Sequence, residues 1–373
     1  MKKVFFGSFV FLLGGCFLFF LFSKSSLPVD NENKETSPVV FFSSEEYIEN
    51  MTLEEKIGQL LLVMAPAGDK ISPIEQYHIG GYIYGGMEIR DQTKESLENE
   101  FSNYQIHSKV PLLFAIDEEG GTVTRISYNS NLSSTFFDSP KNIYEKEGLE
   151  GIRKDTQVKS EILEELGFHL NLAPVADIAT HEESFMWDRS FNPSSDLTSS
   201  FIETVIVESL KYPVSYTLKH FPGHGDNKDS HFELIFDTRS LEEYQSKDFL
   251  PFQAGIDAGA EFIMMDHVIM SCLDAENPAS LSSKVIEYLR NQLHYNGIII
   301  TDSLGMLEIE NKYIKAIQAG NTMLVVSDYQ NAFEEIYQAV QNGFLDLEEI
   351  DIRVKKILDW KEKVGIIKAG KVS

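Results

Sequence analysis

Leu112-Leu113-Phe114-Ala115-Ile116-Asp117-Glu118-Glu119-Gly120-Gly121 carries the pattern on which the fold turns. Five apolar residues in a row do not alternate as a strand with one wet face would, and they are too few for a helix. They suit a parallel strand covered on both sides. The run stops on three acids and two glycines, the composition of a strand end opening into a loop. The same punctuation recurs down the chain. Val175 leads to Asp177, Leu218 to Lys219-His220, Met265 to Asp266-His267, and Ile300 to Thr301-Asp302-Ser303. Leu60 to Met64, Gly81 to Tyr84 and Met323 to Val326 are further apolar runs, bringing the candidate strands to eight. Helical patterns lie between them, among them Val158 to Leu166, Leu241 to Ala258, Ser283 to Leu293 and Ala332 to Asn342. Eight strand–helix units over about 320 residues predict an α/β fold, a (β/α)8 TIM-type barrel in a single domain.

The domain opens near Ser44. Thr52-Leu53-Glu54-Glu55 is a capping box ahead of an apolar helical pattern through Ile57, Leu60 and Leu61. Leu345 to Lys363 reads as closing helices, so residues 44–373 are expected to form the barrel with no second domain after it. Residues 24–43 are polar and mixed in charge, as in a tether. Residues 1–23 carry an address. Lys2 and Lys3 precede an uncharged run from Val4 to Phe22, whose helical rise of about 28 Å is close to the thickness of a bilayer core. The lysines would stay inside and the barrel would lie outside. Leu13-Gly14-Gly15-Cys16 also resembles a bacterial lipobox, in which Cys16 would be lipidated. An uncleaved membrane anchor, a lipoprotein signal and a cleaved signal all fit this leader. Each makes the protein extracytoplasmic, and the first two hold it at the membrane.

Composition excludes some functions. A formal net charge of −26 argues against nucleic acid, whose phosphates need lysine and arginine. The two cysteines, Cys16 and Cys272, form no disulfide framework, and Cys272 reads as a small buried residue.

The densest chemistry lies in Lys219-His220-Phe221-Pro222-Gly223-His224-Gly225-Asp226, followed by Asp229-Ser230-His231. His220 and His224 stand four apart, but Pro222, Gly223 and Gly225 break any helix that would aim both at a metal, so no metal or cofactor is expected. Asp229 and His231 are two apart, so in extended chain their side chains point the same way. A carboxylate beside an imidazole fixes its tautomer and suits it to acid/base work. In a barrel the C-terminal strand ends converge on one face. Asp117, Asp177, Lys219, His220, Asp266, His267 and Asp302 are therefore expected around one mouth.

These segments resemble glycoside hydrolase family 3, specifically its single-domain β-N-acetylhexosaminidase branch. The resemblance runs from Met51 to Gly365. Its blocks are Met51 to Gln59, Asp117-Glu118-Glu119-Gly120-Gly121 with Arg125, Ala173 to Asp177, Asp188-Arg189-Ser190-Phe191, Lys219 to Asp226 with Asp229-Ser230-His231, and Ile300 to Met306.

The resemblance implies a retaining, exo-acting β-N-acetylhexosaminidase that removes nonreducing terminal N-acetylglucosamine from cell-wall or amino-sugar glycans. Asp302 would be the nucleophile, with Asp229 and His231 as the acid/base dyad. Asp117, Arg125, Arg189, Lys219 and His220 would bind substrate. Alternatives on the same fold are a β-glucosidase, a β-xylosidase or an N-acetylglucosamine phosphorylase. From another class comes a catalytically silent sugar-binding lipoprotein. Glu118 departs from the family's usual Gln, Thr122 from a common Arg, Ser303 from a second Asp, and Asn321-Thr322 from an Asp before the last strand.

Overall fold

Eight apolar runs become eight strands: β1 Leu61–Met64, β2 Gly81–Tyr84, β3 Leu113–Ile116, β4 Leu170–Asn171, β5 Ser215–Phe221, β6 Phe262–Met265, β7 Ile298–Thr301 and β8 Leu324–Val326. The computed structural model describes residues 43–229 and 233–367. Each strand pairs in parallel with the next, from β1 with β2 to β6 with β7. β8 returns to β1 in the register Leu61↔Leu324, Leu62↔Val325 and Val63↔Val326. A single parallel bridge, Ile300↔Met323, joins β7 to β8 and brings the ring round. The result is a TIM-type barrel. Its strands are buried along almost their whole length because side chains fill the interior and helices cover the outside.

The helices form where their caps and apolar stripes lie. Thr52 accepts the Glu55 N–H while Glu55 accepts the Thr52 N–H at 2.9 Å, so the capping box starts helix Leu53–Gln59. Helices Ser283–Asn291, Tyr329–Gln341 and Leu347–Lys363 follow their sequence patterns. The segment from Leu241 to Asp257 is helical throughout but contains one π turn, Tyr244–Asp248. The last helix closes the N-terminal end of the barrel. Trp360 Nε1 donates to Ser215 Oγ at 2.9 Å, and the buried Lys361 donates to Gln59 Oε1, the Gly80 carbonyl and the Pro111 carbonyl. Burial without a carboxylate partner brings the Lys361 ammonium down to about 7.

Two expectations need correcting. The apolar run that ends at Val175, expected as a full strand, makes only the two-residue strand Leu170–Asn171. Asn171 turns its amide onto the Glu118 backbone at 3.0 and 3.1 Å, and Pro174 has no N–H for a ladder. Cys272 is exposed, because it sits in the turn just after the short Ile269–Met270 strand. The expected leader and tether, residues 1–43, lie outside the described residues except for Ser43, which caps the helix Ser44–Asn50. Among the described residues no helix is long and apolar enough to cross a membrane.

Candidate active site

The strand ends build the site in two ranks. From the end of β3 come Asp117 and Glu119, from β5 come Lys219 and His220, and the loop after β4 adds Arg189. Lys219 Nζ lies 2.7 Å from Asp117 Oδ1 and 2.7 Å from Glu119 Oε1. Arg189 grips both Glu119 oxygens with one edge of its guanidinium, Nε at 3.0 Å and Nη2 at 2.7 Å. Burial alone would raise the Glu119 carboxyl, but the two cations hold it down at about 2. Burial would likewise lower Lys219, and Asp117 and Glu119 raise it instead, so the ammonium stays charged. The loop reaches this geometry through Gly120 at φ +100°, where a Cβ would stand 2.4 Å from the Asp138 carbonyl oxygen.

Asp302 follows β7, with its backbone N–H donating to the Met265 carbonyl at 2.9 Å. The Ser303 N–H donates to Asp302 Oδ1 at 2.6 Å. Burial pushes the Asp302 carboxyl up, but the His220 and His267 imidazoles, the Ser303 amide and Lys219 outweigh it and hold it below the usual range. The side chain keeps part of its surface open to a cavity of about 560 Å3. Asp117, Arg125, Arg189, Lys219, His220 and Asp302 all line that cavity, which is large enough for a sugar ring.

The second rank lies behind these residues, which corrects the expectation that all five strand ends face the mouth. Asp177, after β4, receives the His220 N–H, His220 Nδ1 and the His224 N–H at 3.0, 2.7 and 2.6 Å. Asp266, after β6, pairs with His224 Nδ1 at 2.8 Å. His267 is enclosed between Ser280 Oγ and the Ser303 carbonyl. These groups are consumed in positioning the first rank.

Glu118 is also turned away from the cavity. It is buried and receives the Thr124 hydroxyl and the backbone N–H groups of Arg125 and Ile126, the latter two at 2.7 and 2.8 Å. Burial raises its carboxyl and these donors only partly offset that. Its role is to pin the turn that presents Arg125.

The loop after β5 is clamped from several sides. His224 Nε2 bonds the Lys228 carbonyl at 2.8 Å. Burial would lower the His224 imidazole, but Asp266 and then Asp177 and that carbonyl push it up to about 9. Arg239 binds Asp237 and Asp248, reaches the Gly223 carbonyl at 2.9 Å and stacks on Tyr244 at 4.3 Å. Its guanidinium packs on bare Gly225, φ +62°, where a Cβ would meet it at 2.8 Å. Asp226 ties the loop to Thr180, receiving its N–H at 2.7 Å. Asp229 stands at the end of this clamped stretch and is not among the described residues lining the cavity. His231 lies outside the described residues, as do Ser230 and Phe232. Sequence reasoning missed Arg239 and the Asp266–His224 pair. Asp237-x-Arg239, a carboxylate two residues from a guanidinium beside a glycine-rich loop, was the available signal.

Comparison with known proteins decides the lineage of this arrangement. Residues 52–360 match the glycosyl hydrolase family 3 N-terminal domain. The chain belongs to glycosyl hydrolase family 3. This family 3 chain is 32% identical over 200 residues to a beta-hexosaminidase of Xanthomonas oryzae pv. oryzae, covering 52% of this chain and 59% of that protein. It is 34% identical over 200 residues to a beta-hexosaminidase of Xanthomonas campestris pv. campestris, covering 52% and 60% respectively. The match thus spans about three fifths of the length of these relatives. A solved family 3 β-N-acetylglucosaminidase from Paenibacillus sp. str. FPU-7 superposes with a TM-score of 0.79 at 28% identity, covering 87% of this chain and 64% of that one.

Proposed function

We propose that this family 3 chain is a retaining, exo-acting β-N-acetylhexosaminidase that removes nonreducing terminal N-acetylglucosamine from amino-sugar or cell-wall glycans. The observation that carries the reading is Asp302, a carboxylate kept ionised and partly open at the edge of a cavity walled by Asp117, Arg189, Lys219 and His220. The names of the relatives support the choice of sugar. Asp302 attacks the anomeric carbon while His231, oriented by Asp229, gives its proton to the leaving oxygen. The bond to the leaving group breaks and a glycosyl ester forms on Asp302. His231, now neutral, takes a proton from water, whose oxygen attacks the same carbon and frees Asp302 with net retention. Asp117, Arg125, Arg189, Lys219 and His220 hold the sugar's hydroxyls and acetamido group. The chemistry requires no metal or organic cofactor.

A fluorinated glycosyl fluoride tests the nucleophile. Peptide mass spectrometry should place the trapped sugar on Asp302, and Asp302→Asn should fold normally but lose turnover. An adduct on another carboxylate overturns the assignment. A panel of 4-nitrophenyl glycosides tests the sugar. Equal rates on N-acetylglucosaminide, glucoside and xyloside would remove the hexosaminidase reading. Residues 1–43 are proposed to hold the barrel at the outer face of the membrane, by an uncleaved helix or by lipidation at Cys16. Their deletion should leave a soluble, active enzyme.

A further inference from the structure

Asp302 has two carboxylate oxygens, and they are not equivalent. Oδ1 receives the Ser303 N–H at 2.6 Å. Among the described residues Oδ2 accepts no hydrogen bond, and the side chain is partly open to the main cavity. Oδ2 is therefore the oxygen placed to attack. Its aim depends on how firmly Ser303 is held, because a carboxylate bonded to the next residue's amide turns with that residue.

Ser303 is held by its carbonyl. That oxygen receives the Met306 N–H at 3.0 Å, across the short helical turn Leu304–Met306. It also receives His267 Nε2 at 3.0 Å, which uses its second lone pair. A carbonyl only accepts, so Nε2 carries a proton. The other ring nitrogen, Nδ1, meets Ser280 Oγ at 2.7 Å. Ser280 is fixed in its turn. Its N–H donates to the Asp266 carbonyl at 2.9 Å, and its carbonyl receives Asn321 Nδ2 at 2.7 Å. Asn321 Nδ2 also donates to the Ala316 carbonyl at 2.7 Å, and two carbonyl partners set the orientation of the amide. His267, Ser280 and Asn321 are all buried. A chain of hydrogen bonds thus runs from Asn321 through Ser280, His267 and Ser303 to the nucleophile.

His267 differs from the other histidines behind the cavity. His220 and His224 each have a carboxylate at Nδ1, from Asp177 and Asp266. The partners of His267 are a hydroxyl and a backbone carbonyl, and the ring is not among the residues lining the cavity. Contact with substrate is closed to it. Its bonds leave it the holding of Ser303.

We propose that His267 is a positioning residue for the nucleophile, fixing through the Ser303 carbonyl the residue whose amide aims Asp302 Oδ2 at the anomeric carbon. The proposal rests on the reading of Asp302 as the nucleophile of a retaining glycosidase. The imidazole also acts on the charge of Asp302. Burial raises the Asp302 carboxyl, and His220 from β5, His267 from the loop after β6, the Ser303 amide and Lys219 from β5 bring it below the usual range. Loss of the imidazole removes one of these groups, so the carboxyl should titrate higher.

The test uses the full chain and the variants His267→Phe, His267→Gln and Ser280→Ala. Phenylalanine keeps the bulk of a ring and loses both hydrogen bonds. Glutamine keeps a donor for the Ser303 carbonyl. Ser280→Ala frees the far side of the imidazole. The measurement is kcat/KM on aryl glycosides of graded leaving-group pKa, made with whichever sugar the wild type cleaves fastest. His267→Phe should lose about 10²-fold, the order expected when a reacting group is displaced by about 1 Å. The loss should be equal for good and poor leaving groups, because Asp302 attacks in every case. His267→Gln should recover about 5- to 10-fold of it, the size of one hydrogen bond. Ser280→Ala should show a smaller loss of the same flat shape. The carbon-13 resonance of the Asp302 carboxyl, followed against pH without substrate, should titrate higher in His267→Phe and His267→Gln than in the wild type. A role in folding alone would not move it. Wild-type kcat/KM in folded His267→Phe overturns the proposal, and so does an Asp302 titration identical in the two proteins. A loss that deepens with leaving-group pKa also overturns it, because the ring would then act through the acid. Should His267→Phe not fold, wild-type rates in both His267→Gln and Ser280→Ala overturn it. A wild type that prefers glucoside or xyloside would end the hexosaminidase reading alone, since His267 is then tested on that sugar and by the carboxyl titration.

Discussion

Asp177 Oδ2 receives both the backbone N–H of His220, at 3.0 Å, and its ring nitrogen Nδ1, at 2.7 Å, across two neighbouring strand ends. The bond makes Nδ1 a donor and leaves Nε2 for a substrate oxygen. The other Asp177 oxygen takes the His224 N–H at 2.6 Å, so one buried carboxylate sets both the ring and the loop behind it.

Asp177→Ala would strand three buried donors, each costing roughly 1–3 kcal/mol. A lower denaturation midpoint is expected, together with a fall in kcat/KM of about 10-fold or more at a temperature where the variant is still folded. Asp177→Asn keeps the shape and one acceptor, and should lie between. Wild-type kcat/KM in Asp177→Ala would show that the orientation of His220 does not matter.

His224 sets a pH dependence. Its imidazole titrates at about 9 in the folded protein, against about 6.5 when unfolded. Between those values the folded state binds more protons than the unfolded one, so stability falls as pH rises. The contribution is whole below pH 6.5 and is lost by passing through about 9, on the order of 3 kcal/mol in all. Urea midpoints measured from pH 6 to 10 should decline across that window. His224→Gln should start lower and flatten the slope. A wild-type midpoint constant from pH 6.5 to 9.5 would contradict the charged imidazole.

The dyad makes a kinetic prediction. Removing a general acid costs on the order of 10²–10⁴ in rate, and the loss depends on the leaving group. With dinitrophenolate, which departs without much protonation, His231→Ala should keep far more of its glycosylation rate than with a sugar. Asp229→Ala should show a milder form of the same pattern, because the imidazole remains but is unoriented. The measurement is kcat/KM across aryl glycosides of graded leaving-group pKa. A slope identical to wild type would remove His231 as the acid. Glu118, Glu119 and His267 are poor replacements, since Glu118 is spent on the turn at Arg125, Glu119 is locked between Lys219 and Arg189, and His267 is enclosed.

The strands were readable one at a time because each lies between a packed interior and a helix. Burial on both faces writes itself as an unbroken apolar run such as Phe262-Ile263-Met264-Met265. The polar residues at the ends of β3, β5 and β7 mark the mouth for the same local reason, which makes Asp117, Lys219, His220 and Asp302 legible in the chain. Closure of the barrel decided the rest. Glu119 meets Arg189 across 70 residues of sequence, and Asp117 meets Lys219 across 102. No local pattern records such pairs, because they exist only once β3, β4 and β5 stand side by side. The same closure sent Asp177, Asp266 and Glu118 behind the cavity. A carboxylate after a strand can face the substrate or brace the group that does. The choice depends on which donors the neighbouring strands bring within about 3 Å, and the chain alone does not write that distance.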